Sequence, residues 1–280
     1  MASIKQEMKQ YGLIPKKKWG QHFLIDRNIL NKVIRTAQIG NRDLVLEIGP
    51  GLGEMTFALA RQAKSVIAVE IDSKLVEILK KKAVDYPNVE VVKGDILKID
   101  FNQLCGREGG RIKVVANLPY QISAPLLFRF IESEEIFSTL TLMLQKEVAE
   151  RMVALSGRKE YGPLSIFVQL VWDLSIHFFV KPSAFSPPPK VESAVVHMAW
   201  KKRPMFKLED EDWFKRVVRA SFGYRRKTLA NALKHSGLPF LQDLERRIES
   251  IGIDPHRRPE TLNIQEFVRL AEFLKPFYQH

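Results

Sequence analysis

Five short runs of apolar, mostly β-branched residues recur through the first half of the chain, at 44–48, 66–69, 89–92, 112–116 and 140–144. Stretches with helical spacing lie between or before them: Ile29, Val33 and Ile34, then 55–63, then Leu75, Ile78 and Leu79. A strand that is apolar throughout is buried on both faces, and the layers that cover it are the intervening helices. Such crossovers are right-handed, so the pattern predicts an α/β fold built on a doubly wound, mainly parallel, Rossmann-like sheet.

Beyond residue 145 the pattern loosens. Residues 166–172 read as a helix and 174–180 as a strand. Pro187, Pro188 and Pro189 form a rigid turn, and 193–200 reads as a last strand. Lys201, Lys202, Arg203 and Pro204 read as a linker. After it, Phe214, Val217 and Val218, Leu229 and Leu233, and Phe267, Leu270 and Phe273 predict a small all-α domain. The expected division is a ligand-binding domain over 1–203, with a basic irregular arm at 1–25, and a helical domain over 204–280.

The first strand runs into Glu47-Ile48-Gly49-Pro50-Gly51-Leu52-Gly53. Glycines between a strand and a helix let the backbone approach a ligand closely. Glu70 ends the second strand, where a carboxylate can accept from both hydroxyls of a ribose, with Ile71 beside it. Both features fit nicotinamide cofactors and S-adenosylmethionine alike. The dinucleotide fingerprint, however, needs a third glycine three residues after Gly51. Glu54 stands there, and its charge would repel a pyrophosphate. S-adenosylmethionine has no phosphate and carries a sulfonium and an ammonium, which acidic neighbours such as Glu47 and Glu54 tolerate. Asp95, at the end of the third strand, can accept from the adenine amine of such a cofactor, with Ile96 against the ring.

The fourth strand ends in Asn117-Leu118-Pro119-Tyr120. This tetrapeptide resembles the Asn/Asp-Pro-Pro-Tyr motif of amino methyltransferases, with leucine second. An exocyclic adenine amine is conjugated with its ring and is a weak nucleophile. Hydrogen bonds from it to the Asn117 side-chain oxygen and the Leu118 carbonyl would favour sp³ character and aim the lone pair. Tyr120 would stack on the base. Catalysis of this kind is mainly positioning and electrostatics.

Taken with Trp19-Gly20-Gln21-His22-Phe23-Leu24, Phe185-Ser186-Pro187-Pro188-Pro189-Lys190-Val191 and Arg225-Arg226-Lys227-Thr228-Leu229, these motifs resemble the ribosomal RNA adenine N6,N6-dimethyltransferases over nearly the whole chain, and within them the bacterial small-subunit type. The resemblance implies dimethylation of two neighbouring adenosines in a hairpin loop near the 3′ end of 16S RNA. It implies cofactor contacts at His22, Leu24, Gly49, Glu70, Asp95 and Asn117. His22 stands where many relatives have asparagine. Phe185 is either a second aromatic face for the adenine or a core residue.

The formal net charge is +12, which favours a polyanionic partner. Candidate RNA contacts are Lys16, Lys17 and Lys18 in the arm. In the helical domain they are Arg219, Arg225, Arg226 and Lys227, within a basic stretch that begins at Arg216 and ends at Lys234. The single cysteine, Cys105, has no disulfide partner and reads as an incidental thiol in a reducing compartment. No secretion signal or membrane span is visible, so the cytoplasm is expected. The histidines lack metal-ligand spacing, so no metal is expected. No long apolar surface stripe calls for a dimer, so a monomer is expected. The rivals are a 23S dimethyltransferase of the macrolide-resistance type and an assembly factor acting by binding; intact Asn117 and Tyr120 favour catalysis.

Overall fold

A computed structural model describes residues 4–105, 111–202, 208–224, 226–237 and 242–277. The chain forms two compact units, residues 1–149 with 173–200, and residues 150–172 with 201–280. The second crossing lies close to the boundary expected at 203. Residues 150–172, read from sequence as part of the first domain, group instead with the helical unit. The reason is packing: helix Pro163–Val171 sets Phe167 edge-on to Phe214, with centroids 6.2 Å apart.

The first unit is built on a seven-stranded sheet. Its strands are β1 (Leu44–Ile48), β2 (Ser65–Glu70), β3 (Val89–Lys93), β4 (Ile112–Asn117), β5 (Phe137–Gln145), β6 (Trp172–Val180) and β7 (Ser193–Trp200). Their spatial order is β3-β2-β1-β4-β5-β7-β6. The pairs β1–β2, β1–β4, β2–β3 and β4–β5 are parallel, and β5–β7 is antiparallel. β1 and β2 are buried almost throughout, as two-sided strands must be, while β3 at the edge is only half-buried. The winding reverses between β1 and β4, and the crevice at their carboxyl ends is where open α/β sheets bind ligands.

Two features of this unit were not visible in the chain. The arm read as irregular begins with a helix, Ile4–Gln10, which buries Ile4 and Met8 against Leu52, Leu75 and Ile78. Their i, i+4 spacing was the available signal. Further on, Phe23–Leu24 pairs antiparallel with Phe185–Ser186 in a two-residue ribbon. Asp26 then caps helix Arg27–Ala37, accepting from the N–H groups of Asn28 at 2.8 Å and Ile29 at 3.2 Å, a contribution of about 1 kcal/mol. This ribbon and cap bring the arm back across the carboxyl edge of the sheet.

In the second unit, helices Glu211–Phe222 and Ile264–Leu274 bury Trp213, Phe214, Val217 and Val218 with Phe267, Leu270 and Ala271. The Trp213 indole donates to the Ala271 carbonyl at 2.7 Å. Arg257 pairs with Glu266, a residue that also closes a capping box on Asn263. Among the described residues, no helix is long and apolar enough to cross a membrane. Also among them, no cluster of three or more metal-ligating side chains occurs.

Candidate active site

The turn after β1 depends on its glycines. Gly49, Gly51 and Gly53 have φ of 68°, 59° and 90°, in the left-handed region. A Cβ at Gly53 would lie 2.5 Å from the Phe57 ring, and one at Gly51 3.2 Å from the Phe23 ring. Side chains there would force the turn out of shape.

Opposite the turn, the Glu70 carboxylate accepts from Gly51 N–H at 3.3 Å and from Asp72 N–H at 2.9 Å. Ile71 N–H also bonds this carboxylate, so of its about four lone-pair sites about one is left for a ligand. Burial raises its pKa, an effect that those backbone N–H bonds oppose. Beside it, Glu47 is fully buried, and neither of its carboxylate oxygens has a hydrogen-bond partner among the described residues. Burial, with the charge of Glu70 added, pushes its pKa up to about 8, against the opposing pull of the neighbouring Thr56 hydroxyl, which is not within bonding geometry. A buried carboxyl without a partner at the wall of a cavity is a ready acceptor for a cation.

The third strand delivers Asp95 and Ile96 to the same cavity. Asp95 accepts from Leu97 N–H at 3.0 Å, which closes the turn. Arg129, from helix Ser123–Glu132, then holds the loop that follows. Its guanidinium donates to the Ile96 carbonyl and, at 2.6 Å, to the Ile99 carbonyl, and it lies 4.4 Å above the Phe101 ring. Sequence reading missed Arg129, because nothing local marks a helix residue as the clamp of a distant loop.

The acceptor motif lies on the other side of the cavity. Asn117 Nδ2 donates to the His22 carbonyl at 3.1 Å. A carbonyl can only accept, so this bond fixes which end of the amide is NH₂ and makes Oδ1 the acceptor left for a ligand. Leu118 N–H donates to Met143 O at 2.9 Å. The Pro119 carbonyl accepts from Ile122 N–H and Ser123 Oγ. Leu118 O is the backbone acceptor that the motif would turn to the amine. Tyr120 Oη bonds Ser193 Oγ at 2.8 Å, and the His22 ring stacks on Tyr120 at 5.7 Å. Burial raises the Tyr120 pKa, so the phenol stays neutral. His22 Nδ1 donates to the Pro187 carbonyl at 2.7 Å. His22 therefore touches both Asn117 and Tyr120, the first and last residues of the motif, a role its sequence position did not reveal.

One cavity gathers His22, Leu24, Gly49, Gly51, Glu70, Ile71, Asp95, Ile96, Asn117, Leu118, Pro119 and Tyr120. Phe185 does not join them. It is 3% exposed and packs in the core with Leu30, Val33 and Val180, so it offers no face to a base. The ribbon that pairs Phe185 with Leu24 turns its ring inward.

The basic candidates divide. Lys16 is committed to Asp72 at 2.9 Å and to the face of Trp19 at 4.4 Å. Lys18 covers the same ring at 4.5 Å and lines the cavity rim. Lys17 lies in the turn Lys17–Trp19 between them. In the helical unit, Arg219 lies 5.9 Å from the Phe167 ring and Lys227 5.1 Å from the Tyr224 ring, and Arg226 is exposed. Arg225 lies outside the described residues. Lys234, in the same basic stretch, is paired with Glu245 at 2.6 Å.

The family model described as ribosomal RNA adenine dimethylase matches residues 14–275. The chain belongs to the ribosomal RNA adenine dimethylase family. A ribosomal RNA small subunit methyltransferase A from Geobacter metallireducens is 44% identical over 94% of this chain and 97% of its own. One from Bacillus mycoides is 42% identical over 96% of this chain and 94% of its own. Among solved structures, a dimethyladenosine transferase from Plasmodium falciparum is 32% identical, with a TM-score of 0.79 over 92% of this chain and 99% of that one. The 23S rRNA methyltransferase ErmE is 25% identical, with a TM-score of 0.69 over 90% and 99%.

Within this dimethylase, Arg129→Met is expected to raise the Kd for the nucleoside cofactor about tenfold, the scale of a lost charged hydrogen bond. The kcat at saturating cofactor should stay near wild type. Calorimetry with the demethylated cofactor product checks this. An unchanged Kd would mean that the 95–101 loop keeps its shape without the guanidinium.

Proposed function

We propose that this chain is a 16S ribosomal RNA adenine N6,N6-dimethyltransferase. It transfers methyl groups from S-adenosylmethionine to two adjacent adenosines in a hairpin loop near the 3′ end of small-subunit RNA, acting as a monomer in the cytoplasm during ribosome biogenesis. The observation that carries the reading is the pairing of two half-sites across one cavity. Glu70, Asp95 and the unpartnered Glu47 line one side; Asn117, Leu118 and Tyr120 line the other.

The cofactor half fits S-adenosylmethionine. Glu70 can hold the ribose hydroxyls, Asp95 and Ile96 the adenine, and Glu47 can give up its proton to face a cationic ligand without phosphate. When bound, that cofactor supplies an electrophilic methyl group, so no strong base is needed before attack. Asn117 Oδ1 and Leu118 O would take hydrogen bonds from the target amine and aim its lone pair. The His22 ring stacks on one face of Tyr120, which lines the cavity, and the base would stack on the tyrosine from the cavity side. The identity to small-subunit methyltransferases over nearly the full chain favours the small-subunit target over the 23S one.

The test is methyl transfer from labelled cofactor to small subunits that lack the modification. N6,N6-dimethyladenosine is the expected product, and its absence overturns the proposal. RNA affinity should also fall steeply with salt: six phosphate contacts would cost about 10³-fold between 50 and 200 mM. A flat dependence, in filter binding, would show that the basic surfaces are not the docking face.

A further inference from the structure

An exposed aromatic ring capped by a cation lies close along the sheet edge from the acceptor motif, and methyl transfer as described above does not use it. Phe179, near the end of β6, is 49% exposed. Side chains alternate along a strand. Its neighbours Phe178 and Val180 pack into the core with Leu30 and Val33, so Phe179 points to the opposite face. Lys146 Nζ lies 5.0 Å from its ring centroid.

The chain links this pair to the acceptor pocket. Lys146 N–H donates to the Glu192 carbonyl at 3.0 Å. The next residue, Ser193, holds Tyr120 Oη. Ser193, the anchor of the base-stacking tyrosine, and Glu192, which bonds Lys146, are therefore adjacent in β7 and its lead-in. Val191, two residues before Ser193, is 45% exposed, and Lys181 and Lys190 are exposed in the segment between β6 and β7. The acid that pairs with Lys146 is Glu192, at 2.9 Å, with both side chains about 40% exposed. An ion pair so exposed is weak and exchangeable.

A half-exposed phenylalanine contributes little to the core. An aromatic face with a lysine on it, flanked by further lysines, matches an unstacked base and its phosphate. An adenosine drawn out of a loop into the acceptor pocket leaves just such a neighbour, splayed and unpaired. We propose that Phe179, with Lys146, is a stacking platform for the nucleotide next to the adenine held by Tyr120. This rests on the adenine methyltransferase reading above.

The experiment compares Phe179→Ala, Phe179→Leu and Phe179→Trp in methyl transfer to small subunits lacking the modification. The alanine and leucine variants should raise the KM for subunits about tenfold, the scale of one lost base stack. Their kcat, their affinity for the demethylated cofactor product and their Tm should match wild type. Tryptophan, which keeps a flat face, should restore KM. Unchanged KM in the alanine variant overturns the platform. Full rescue by leucine overturns it too, since leucine keeps apolar area but has no stacking face. A raised KM with a lowered Tm and no rescue by tryptophan assigns Phe179 to packing and also overturns it. Wild-type protein that transfers no methyl group would instead defeat the functional reading beneath it.

Discussion

Asn117→Ala is expected to lower kcat by at least about 10²-fold, the scale of removing one preorganised polar group from a reacting centre, while leaving RNA affinity nearly unchanged. The site offers no strong base, so the side chain's work is to hold the amine and support its change of geometry. Its orientation is not left to chance. Nδ2 is committed to the His22 carbonyl at 3.1 Å, which leaves Oδ1 as the acceptor. Alanine removes the acceptor and frees the His22 carbonyl together. Aspartate keeps an acceptor oxygen but sets a second oxygen against that carbonyl, so Asn117→Asp should fall between alanine and wild type. Single-turnover transfer at saturating cofactor, with filter binding of the RNA, separates the outcomes. Loss of RNA binding with unchanged chemistry would make Asn117 a docking residue.

The residues on either side of that bond show how far the chain could be read in advance. Asn117 to Tyr120, the glycine turn and Glu70 are local signals: residue types that a strand end needs, at spacings that the βα unit sets. The doubly wound, mainly parallel sheet followed from the same regularity, but the insertion of antiparallel β7 between β5 and β6 did not. The partners that orient these residues are not local. His22 reaches Asn117 across 95 positions, Ser193 reaches Tyr120 across 73, and Arg129 spans 30 or more to hold the Asp95 loop. Each is an ordinary residue until the fold brings it in. Phe185 shows the reverse. Its place beside three prolines left two readings open, and only the ribbon with Leu24 turns its ring into the core. Lys16 is a candidate RNA contact from its charge run, and its ion pair with Asp72, far along the chain, was not legible there.

Cofactor binding is expected to release a proton and to strengthen as pH rises from 6 to 8. In the ligand-free protein the Glu47 pKa is raised to about 8 by burial, with Glu70 adding to it. The sign follows from linkage. A carboxyl whose folded pKa lies above its unfolded value favours the folded state while protonated, and that advantage is lost as pH climbs from about 4.5 towards 8. A positive charge placed in the cavity that Glu47 lines favours the ionised carboxyl instead. Below pH 8, binding such a ligand must therefore expel the proton, and affinity should change by up to about tenfold per pH unit, levelling off above 8. Calorimetry in buffers of different ionisation enthalpy would count about one proton released near pH 7. Glu47→Gln should bind the cofactor more weakly, flatten the pH profile and cancel the proton release. It should also remove most of the loss of ligand-free stability between pH 5 and 8. Burial raises the Glu70 pKa as well, against the backbone donors of Asp72, Gly51 and Ile71, so a slope that survives in Glu47→Gln would transfer the effect to Glu70. A flat profile in the wild type would place the ligand's charge away from both carboxyls.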